Sequence, residues 1–425
     1  MHDSNCNQVR RGRNPFGAPY RWNWAVAAGW RSFLALAAFT LCVVAGWAQT
    51  QPQLPDGNGK ETIQKACGSR HALTTVTNAG HNRQEWTSVL NMMVTAGAPV
   101  PKDQIATVTD YLAKNFPERP APDAVVIPGS VEVSIKEWQV PTAGSRPHDP
   151  AFAPDGSVWY TGQMANVLGR FDPKTQQFKE YTLKTPGSGP HGLVPDKDGN
   201  IWFTANFKAY IGKLDPKTGN VTEYPMPDPQ AKDPHTLLFA PNGNIYFTVQ
   251  GGNMVGRLNP KTGEVKVVNS PTLKSNPYGM VVSSQGVPFF VEFGSNKVAS
   301  LDPDTLAIHE YVLPHVDSHP RRVAITPDDV MMTEWASPGG PRSRPYGITA
   351  VGDVIWYSES NTKPNTVVRF DPKTEKFQTW IIPSGGGVVR NMVPTPDGNL
   401  WLACSGVNGI AFVEVKDSAK TSSLN

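Results

Sequence analysis

The sequence predicts a mainly β fold: a seven-bladed β-propeller with a truncated fifth blade, preceded by a small all-α domain. Three observations predict it. First, the phrase Gly-x-x-Asp-Pro-Lys-Thr recurs at Gly169–Thr175, Gly212–Thr218 and, with Asn259 for Asp, at Gly256–Thr262. Looser copies stand at Asp302-Pro303 and Asp371-Pro372. Second, each unit opens on a bulky polar residue: His148, His191, His235, Tyr278, Arg321, Tyr346 and Arg390, all but the last preceded by proline. These openings lie 43, 44, 43, 43, 25 and 44 residues apart, so the unit starting at Arg321 is short, and an open array or six blades with a long loop is the alternative. Third, each intact unit reads as four short strands, and four strands at this period make a propeller blade.

The elements follow in order within a unit. A short apolar run leads to a turn such as Pro154-Asp155-Gly156, Asp198-Gly199-Asn200, Pro241-Asn242-Gly243 or Pro396-Asp397-Gly398. Asn and Gly tolerate the positive φ that tight two-strand turns need. An aromatic strand comes next, as in Val158-Trp159-Tyr160-Thr161, Ile201-Trp202-Phe203-Thr204 and Ile355-Trp356-Tyr357-Ser358. A third strand enters the Asp-Pro-Lys-Thr turn, and a fourth leaves it, as in Phe178-Lys179-Glu180-Tyr181. The last unit has only three strands before the chain ends. The segment Val133 to Pro141 has fourth-strand text and is expected to complete that blade, closing the ring and removing two open edges. The propeller is placed at 133–415, followed by a polar tail at 416–425.

Residues 1–48 read as a secretory signal peptide: arginines 10, 11, 13, 21 and 31, an apolar stretch at 32–46, then Gly46-Trp47-Ala48. The expected location is periplasmic or secreted, with no membrane span after cleavage; an uncleaved anchor is the alternative. Removing the leader takes away five arginines and one aspartate. The 39 basic and 36 acidic residues become 34 and 35, and the formal charge falls from +3 to −1. No basic field remains to argue for nucleic acid. Of four cysteines, Cys6 and Cys42 lie in the leader, which leaves Cys67 and Cys404 and no disulfide framework.

Residues 57–118 change character. Helical spacing runs through 61–66, 83–94 and 102–115, where Ile105, Val108, Tyr111 and Leu112 share a face. A linker at 119–132, rich in proline, follows. Between the helices stands Cys67-Gly68-Ser69-Arg70-His71, a c-type haem signature with Arg70 in place of its second cysteine. Together with Trp86-x-x-Val89-x-x-x-Met93 and Tyr111-Leu112-Ala113-x-x-Phe116, this resembles a degenerate class I cytochrome c domain. The resemblance implies haem bound by Cys67 and His71, with Met93 as the distal ligand and Met92 its rival. One thioether, non-covalent haem and a relic without redox chemistry all stay open.

The unit openings and the residues fourteen positions later return to the same end of an antiparallel pair. The openings put His148, His191, His235, Tyr278, Arg321, Tyr346 and Arg390 at a channel rim, where a small-molecule ligand would bind. The later positions are Gly162, Ala205, Val249, Glu292, Glu359 (one residue early) and Cys404. The alternative role for a Pro-His opening is structural, an imidazole bonding the neighbouring blade's backbone.

Phrases such as Pro190-His191-Gly192, Asn200-Ile201-Trp202-Phe203-Thr204 and Ile211-Gly212-Lys213-Leu214 resemble the streptogramin B lyase family, virginiamycin B lyase and its relatives. That family opens a cyclic ester by elimination with Mg²⁺, using an opening His and a Glu from the same blade. The resemblance implies His235, Glu292 and Glu359 as catalytic candidates, the two glutamates also as metal ligands. The chain departs from the pattern, because no blade carries both halves: the His blades end in Gly162, Ala205 and Val249. Glu334 resembles the motif but aligns better with a fourth strand. The expected function is an exported, Mg-dependent carbon–oxygen lyase on a cyclic ester or related ligand. The alternatives are a haem-linked electron-transfer protein with a redox partner, and a non-catalytic binding scaffold.

Overall fold

The computed structural model describes residues 53–417 except 69–72, 96, 316–317 and 327–333. The expected leader, Arg70, His71 and the end of the tail lie outside the described residues. Six antiparallel four-stranded sheets form the ring. Five are continuous in sequence, at 147–182, 190–225, 234–269, 277–312 and 345–381. The sixth joins three C-terminal strands to Val131–Gln139, which pairs along its whole length with Gly409–Asp417. Closure through an N-terminal strand is therefore as the sequence indicates.

The blade number is not. The ring has six blades rather than seven, and the truncated fifth blade expected from Arg321 is absent: the described residues of 313–344 contain no strand. Four strands of about five residues with their turns do not fit in the 25 residues between Arg321 and Tyr346. Without partners, the segment has no ladder for its backbone groups. Glu334 and Trp335, expected in a fourth strand, lie outside any strand. Only the opening turn survives. The residue before each opening proline is left-handed: φ is 56° at Arg146, 59° at Gly189, 67° at Asp233, 51° at Asn276 and 53° at Arg344. His319, in the shortened unit, keeps the same turn at 43°.

Each inner strand then carries a bulge. Pro147 opposes Gly162 but Pro150 opposes Tyr160, so one strand advances three residues while its partner advances two. The same shift occurs in the other five blades. A bulge re-aims side chains, and here it brings the opening residues of successive blades together. A threonine hydroxyl fills each of the first three bulges. Thr204 Oγ1 accepts from Gly192 N at 2.8 Å and donates to His235 O, in the next blade, at 2.8 Å. Thr161 links Asp149 N to His191 O, and Thr248 links Thr236 N to Tyr278 O. The neighbouring backbone is thus held by threonine, leaving the imidazoles free of the structural role the sequence offered them.

The repeat text has local causes. Trp159, Trp202 and Trp356 stack on Tyr181, Tyr224 and Trp380 of the fourth strands. A Cβ at Gly169, Gly212 or Gly256 would overlap the ring of Tyr160, Phe203 or Phe247. Asp172, Asp215 and Asn259 accept backbone N–H groups two residues on, which closes the Asp-Pro-Lys-Thr turn far from the rim. Apolar cores lie between neighbouring blades, eleven buried residues between the first two. Between the fourth and fifth, Tyr278, Val291 and Tyr346 form the buried cluster among the described residues, with Val323 of the strandless segment packed on them.

The cytochrome c-like domain is also corrected. The helices are short: α1 (Lys60–Ala66), α2 (Thr74–Thr77), α3 (Arg83–Thr95) and α4 (Ile105–Asn115). Leu54, Ile63, Trp86, Leu90, Val108 and Leu112 fill their interior, and Cys67 and Met93 pack into that same side-chain core. The linker is tied down: Lys363 N donates to Pro122 O and Thr379 N donates to Ile127 O, while Glu118, just ahead of it, pairs with Lys363 at 2.7 Å. Among the described residues no helix is long and apolar enough to cross a membrane.

Two substitutions test this framework. Gly212→Ala forces a methyl into the Phe203 ring and is expected to cost about 1–3 kcal/mol in urea unfolding. Thr248→Val strands Thr236 N and Tyr278 O without a partner and is expected to cost about 1–3 kcal/mol. A Thr248→Ser variant, which restores the hydroxyl, should recover most of that.

Candidate functional site

The six openings converge at one end of the channel. His148 and His191 lie with ring centroids 3.7 Å apart, His191 and His235 at 3.7 Å, and His235 and Tyr278 at 3.9 Å. The arc continues across the gap in the ring, where the Tyr278 and Tyr346 hydroxyls are 2.6 Å apart. Arg390, from the sixth blade, lies over the Tyr346 ring at 5.6 Å. All three histidines and both tyrosines are buried. The rim set read from the sequence is therefore one contiguous cluster.

The strandless segment completes it. Arg321 lies over Phe293 at 4.6 Å and Tyr346 at 5.2 Å, and its carbonyl accepts from Gly279 N at 3.0 Å. That carbonyl takes the place which the next blade's opening residue fills elsewhere. Arg322 donates to Asp149 Oδ1 at 2.7 Å and to Thr236 Oγ1 at 3.3 Å. Arg146, in the first opening turn, donates to Gln163 Oε1 at 2.7 Å. Sequence reasoning missed Arg146, Asp149 and Arg322. The visible clue was the position after each opening: Gly192, Gly279 and Gly347 in three blades, but Asp149 and Arg322 here.

The electrostatics follow from burial and from the guanidinium charges. Burial, then Arg390, Arg146 and Arg322, push His148 well below the ordinary imidazole value. Burial and the neighbouring imidazoles do the same for His191, and burial and Arg322 for His235. The imidazoles are therefore neutral. Burial also lowers Arg146, to about 9, helped by Arg390. Burial opposes charge on Arg321 and Arg322 too, but Tyr346 and Asp149 respectively outweigh it, and both are raised. Burial would raise Tyr346. Arg390, Arg321, Arg322 and the hydrogen bond with Tyr278 instead bring it down to about 7.

The nitrogens of the histidines differ. His148 Nδ1 is 2.9 Å from Asp149 Oδ1, and His235 Nδ1 is 3.0 Å from the Thr236 hydroxyl. His191 Nδ1 is buried with no hydrogen-bond partner among the described residues. The expected glutamates are engaged elsewhere. Glu292 accepts from Ser270 and, at 2.7 Å, from Ser295. Glu359 accepts from Ser337 at 2.6 Å, Gly339 N at 2.7 Å and Thr366 at 2.7 Å. Both are buried and fasten the turns beside their own blades. Cys404, at the equivalent position, is likewise buried.

Among the described residues, the donors that could approach one ion are His148, Asp149 and His191, whose ligand atoms lie within 4.8 Å of one another. They do not fit Mg²⁺, which asks for several oxygen ligands. The set offers one carboxylate, already bonded to His148 and Arg322, inside a field of guanidiniums.

The family comparison agrees with this architecture. Residues 129–339 match the sequence model of the Virginiamycin B lyase family. These residues belong to that family. A streptogramin B lyase structure superposes with a TM-score of 0.61 at 24% identity, over 67% of this chain and 98% of its own. The selenomethionine-substituted virginiamycin B lyase from Staphylococcus aureus gives 0.61 at 24% identity, over 66% and 99%. At that identity the likeness shows the fold alone. No curated protein matches the sequence.

The buried imidazoles predict an acid-labile fold. Unfolded histidines protonate near pH 6.5 while the folded ones resist, so the unfolded state binds more protons below that pH. Stability is full above about pH 6.5 and falls on acidification by up to about 1.4 kcal/mol per pH unit per histidine. Tm by circular dichroism should drop between about pH 7 and pH 5, and less so in His191→Gln. An unchanged Tm over that range would mean that the imidazoles take up protons in place.

Proposed function

We propose that this propeller is a carbon–oxygen lyase of the general kind its family's name describes, acting on an ester-bearing ligand at the histidine end of the channel. The observation that carries this reading is His191: a neutral, buried imidazole with an unpartnered nitrogen, set among guanidiniums and phenols. In an elimination, a base removes the proton on the carbon next to an electron-withdrawing group. The C–O bond one carbon further breaks, its electron pair leaves with the carboxylate, and a C=C bond forms. His191 takes the proton. His148, held through Nδ1 by Asp149, and His235, held by Thr236, fix the arc on either side of it. Arg321, Arg322 and Arg390 stabilise the oxyanion and the departing carboxylate, where the family resemblance implies Mg²⁺. Glu292 and Glu359 hold the loops that carry these groups.

The test uses a streptogramin B as substrate and mass spectrometry as readout. Elimination gives an opened ring of unchanged mass, and hydrolysis adds one water. The expected product is isomeric with the substrate, its rate unaffected by a chelator and lowered about 10²-fold or more in His191→Asn. Intact substrate, or a hydrated product, would remove the lyase reading.

A further inference from the structure

The charges of the channel do not balance. Four guanidiniums stand around the imidazoles and phenols: Arg146, Arg322 and Arg390 act on His148, and Arg321, Arg322 and Arg390 on Tyr346. Among the described residues, Asp149 is the one carboxylate that joins them, and Arg322 holds it at 2.7 Å. Glu292 and Glu359 are bonded to serines, a threonine and a backbone N–H instead. Arg322 Nε and Arg390 Nε are buried without a hydrogen-bond partner, as is His191 Nδ1. Buried charges are ordinarily paired, and buried N–H donors ordinarily satisfied. Here three cationic side chains, drawn from the first opening turn, the strandless segment and the sixth blade, have no carboxylate of their own.

We infer that this end of the channel is an oxyanion receptor, and that the natural ligand carries a carboxylate or phosphate held by Arg321, Arg322 and Arg390 against the histidine–tyrosine arc. Guanidinium is the group for this task, since its planar fork of donors matches either oxyanion bidentately. The unpartnered Nε atoms add donors to that fork. The same guanidiniums draw Tyr346 towards its anionic form, so the field already favours oxygen-centred negative charge. A separate pocket at the far ends of the inner strands, lined by Pro150, Phe152, Leu193, Pro195, Val393 and Pro394, carries no charged side chain and offers an anion no such partner. The site is shared with the lyase reading, but the inference concerns binding and needs no turnover.

Calorimetry and thermal shift on the full chain, with succinate and with inorganic phosphate as separate probes, test it. At least one should bind with a dissociation constant in the millimolar range or tighter and raise Tm. Arg321→Met combined with Arg390→Met should weaken that binding at least ten-fold. Should that variant fail to fold, Arg390→Lys, which keeps the charge but loses the fork, should weaken binding several-fold with an unchanged circular dichroism spectrum. The arm that binds more tightly identifies the head group. No heat from either probe, or binding equal in the variants (an adventitious ion only), would overturn the inference. Failure of ring opening with anion binding intact would remove only the lyase reading.

Discussion

The fold turns on a hydroxyl placed in a β-bulge. Thr161, Thr204 and Thr248 each accept from the backbone N–H of their own blade's bulge and donate to the carbonyl of the next blade's opening residue. One atom therefore sets the bulge and the spacing between blades. The bulge fixes where the opening side chain goes, and the spacing brings successive rings into contact around the channel. Where the hydroxyl is missing, something replaces it. Val291 cannot bond, and Gly279 N reaches Arg321 O directly. At the seam, Ala403 cannot bond, and Ser405 Oγ donates to Pro147 O. In the fifth blade Ser358 takes the threonine's place, accepting from Gly347 N.

Much of this was legible because the chain is a repeat. A period of about 43 residues with turn dipeptides identifies blades, and identical positions can be compared between them. The closing strand was legible because Val133 to Pro141 carries fourth-strand text at the wrong end of the chain, and the strand forms at Val131–Gln139. The blade count was not. Pro320-Arg321 has the opening phrase, and its turn at His319 is present, so the local text was correct. What the text could not give is that a unit this short forms no strand among its described residues and cannot be a blade. In the N-terminal segment the helices were legible but Cys67 and Met93 have an ordinary packing role too. Short motif phrases match apolar helix faces as readily as they match cofactor ligands, and here Met93 packs with Leu90 and Trp86 in a core.

The site was half legible. Opening residues were found because they interrupt an apolar pattern at a fixed register. Glu292 and Glu359 were found by the same register but serve differently. Their strand ends on the outer side of the bulge, so their side chains meet serines of the adjoining loops rather than the imidazoles. Arg146 and Arg322 lie outside the aligned position, Arg146 in the left-handed turn ahead of the first blade and Arg322 in the strandless segment, so the register did not single them out. Asp149 matters through both neighbours at once, His148 and Arg322, which no single-position comparison would reveal.

The lost blade and the charge of the channel are one feature. In an intact ring, the position between the fourth and fifth blades would be filled by another inner strand, contributing one side chain to the rim. Instead, an extended segment passes there with Arg321 and Arg322 in succession, both directed to the cluster. It does so at an expense in packing, since among the described residues three buried apolar ones bridge that gap where eleven bridge the first two blades. The hydroxyl pair of Tyr278 and Tyr346 spans the same gap, and Arg321 covers both rings. Restoring a regular strand would recover core and remove guanidiniums, while the present arrangement concentrates buried positive charge where the imidazole arc ends. A stability-driven change would favour the strand. That the segment carries two adjacent arginines into a buried site, against their desolvation, argues that the charge answers to a ligand rather than to the fold.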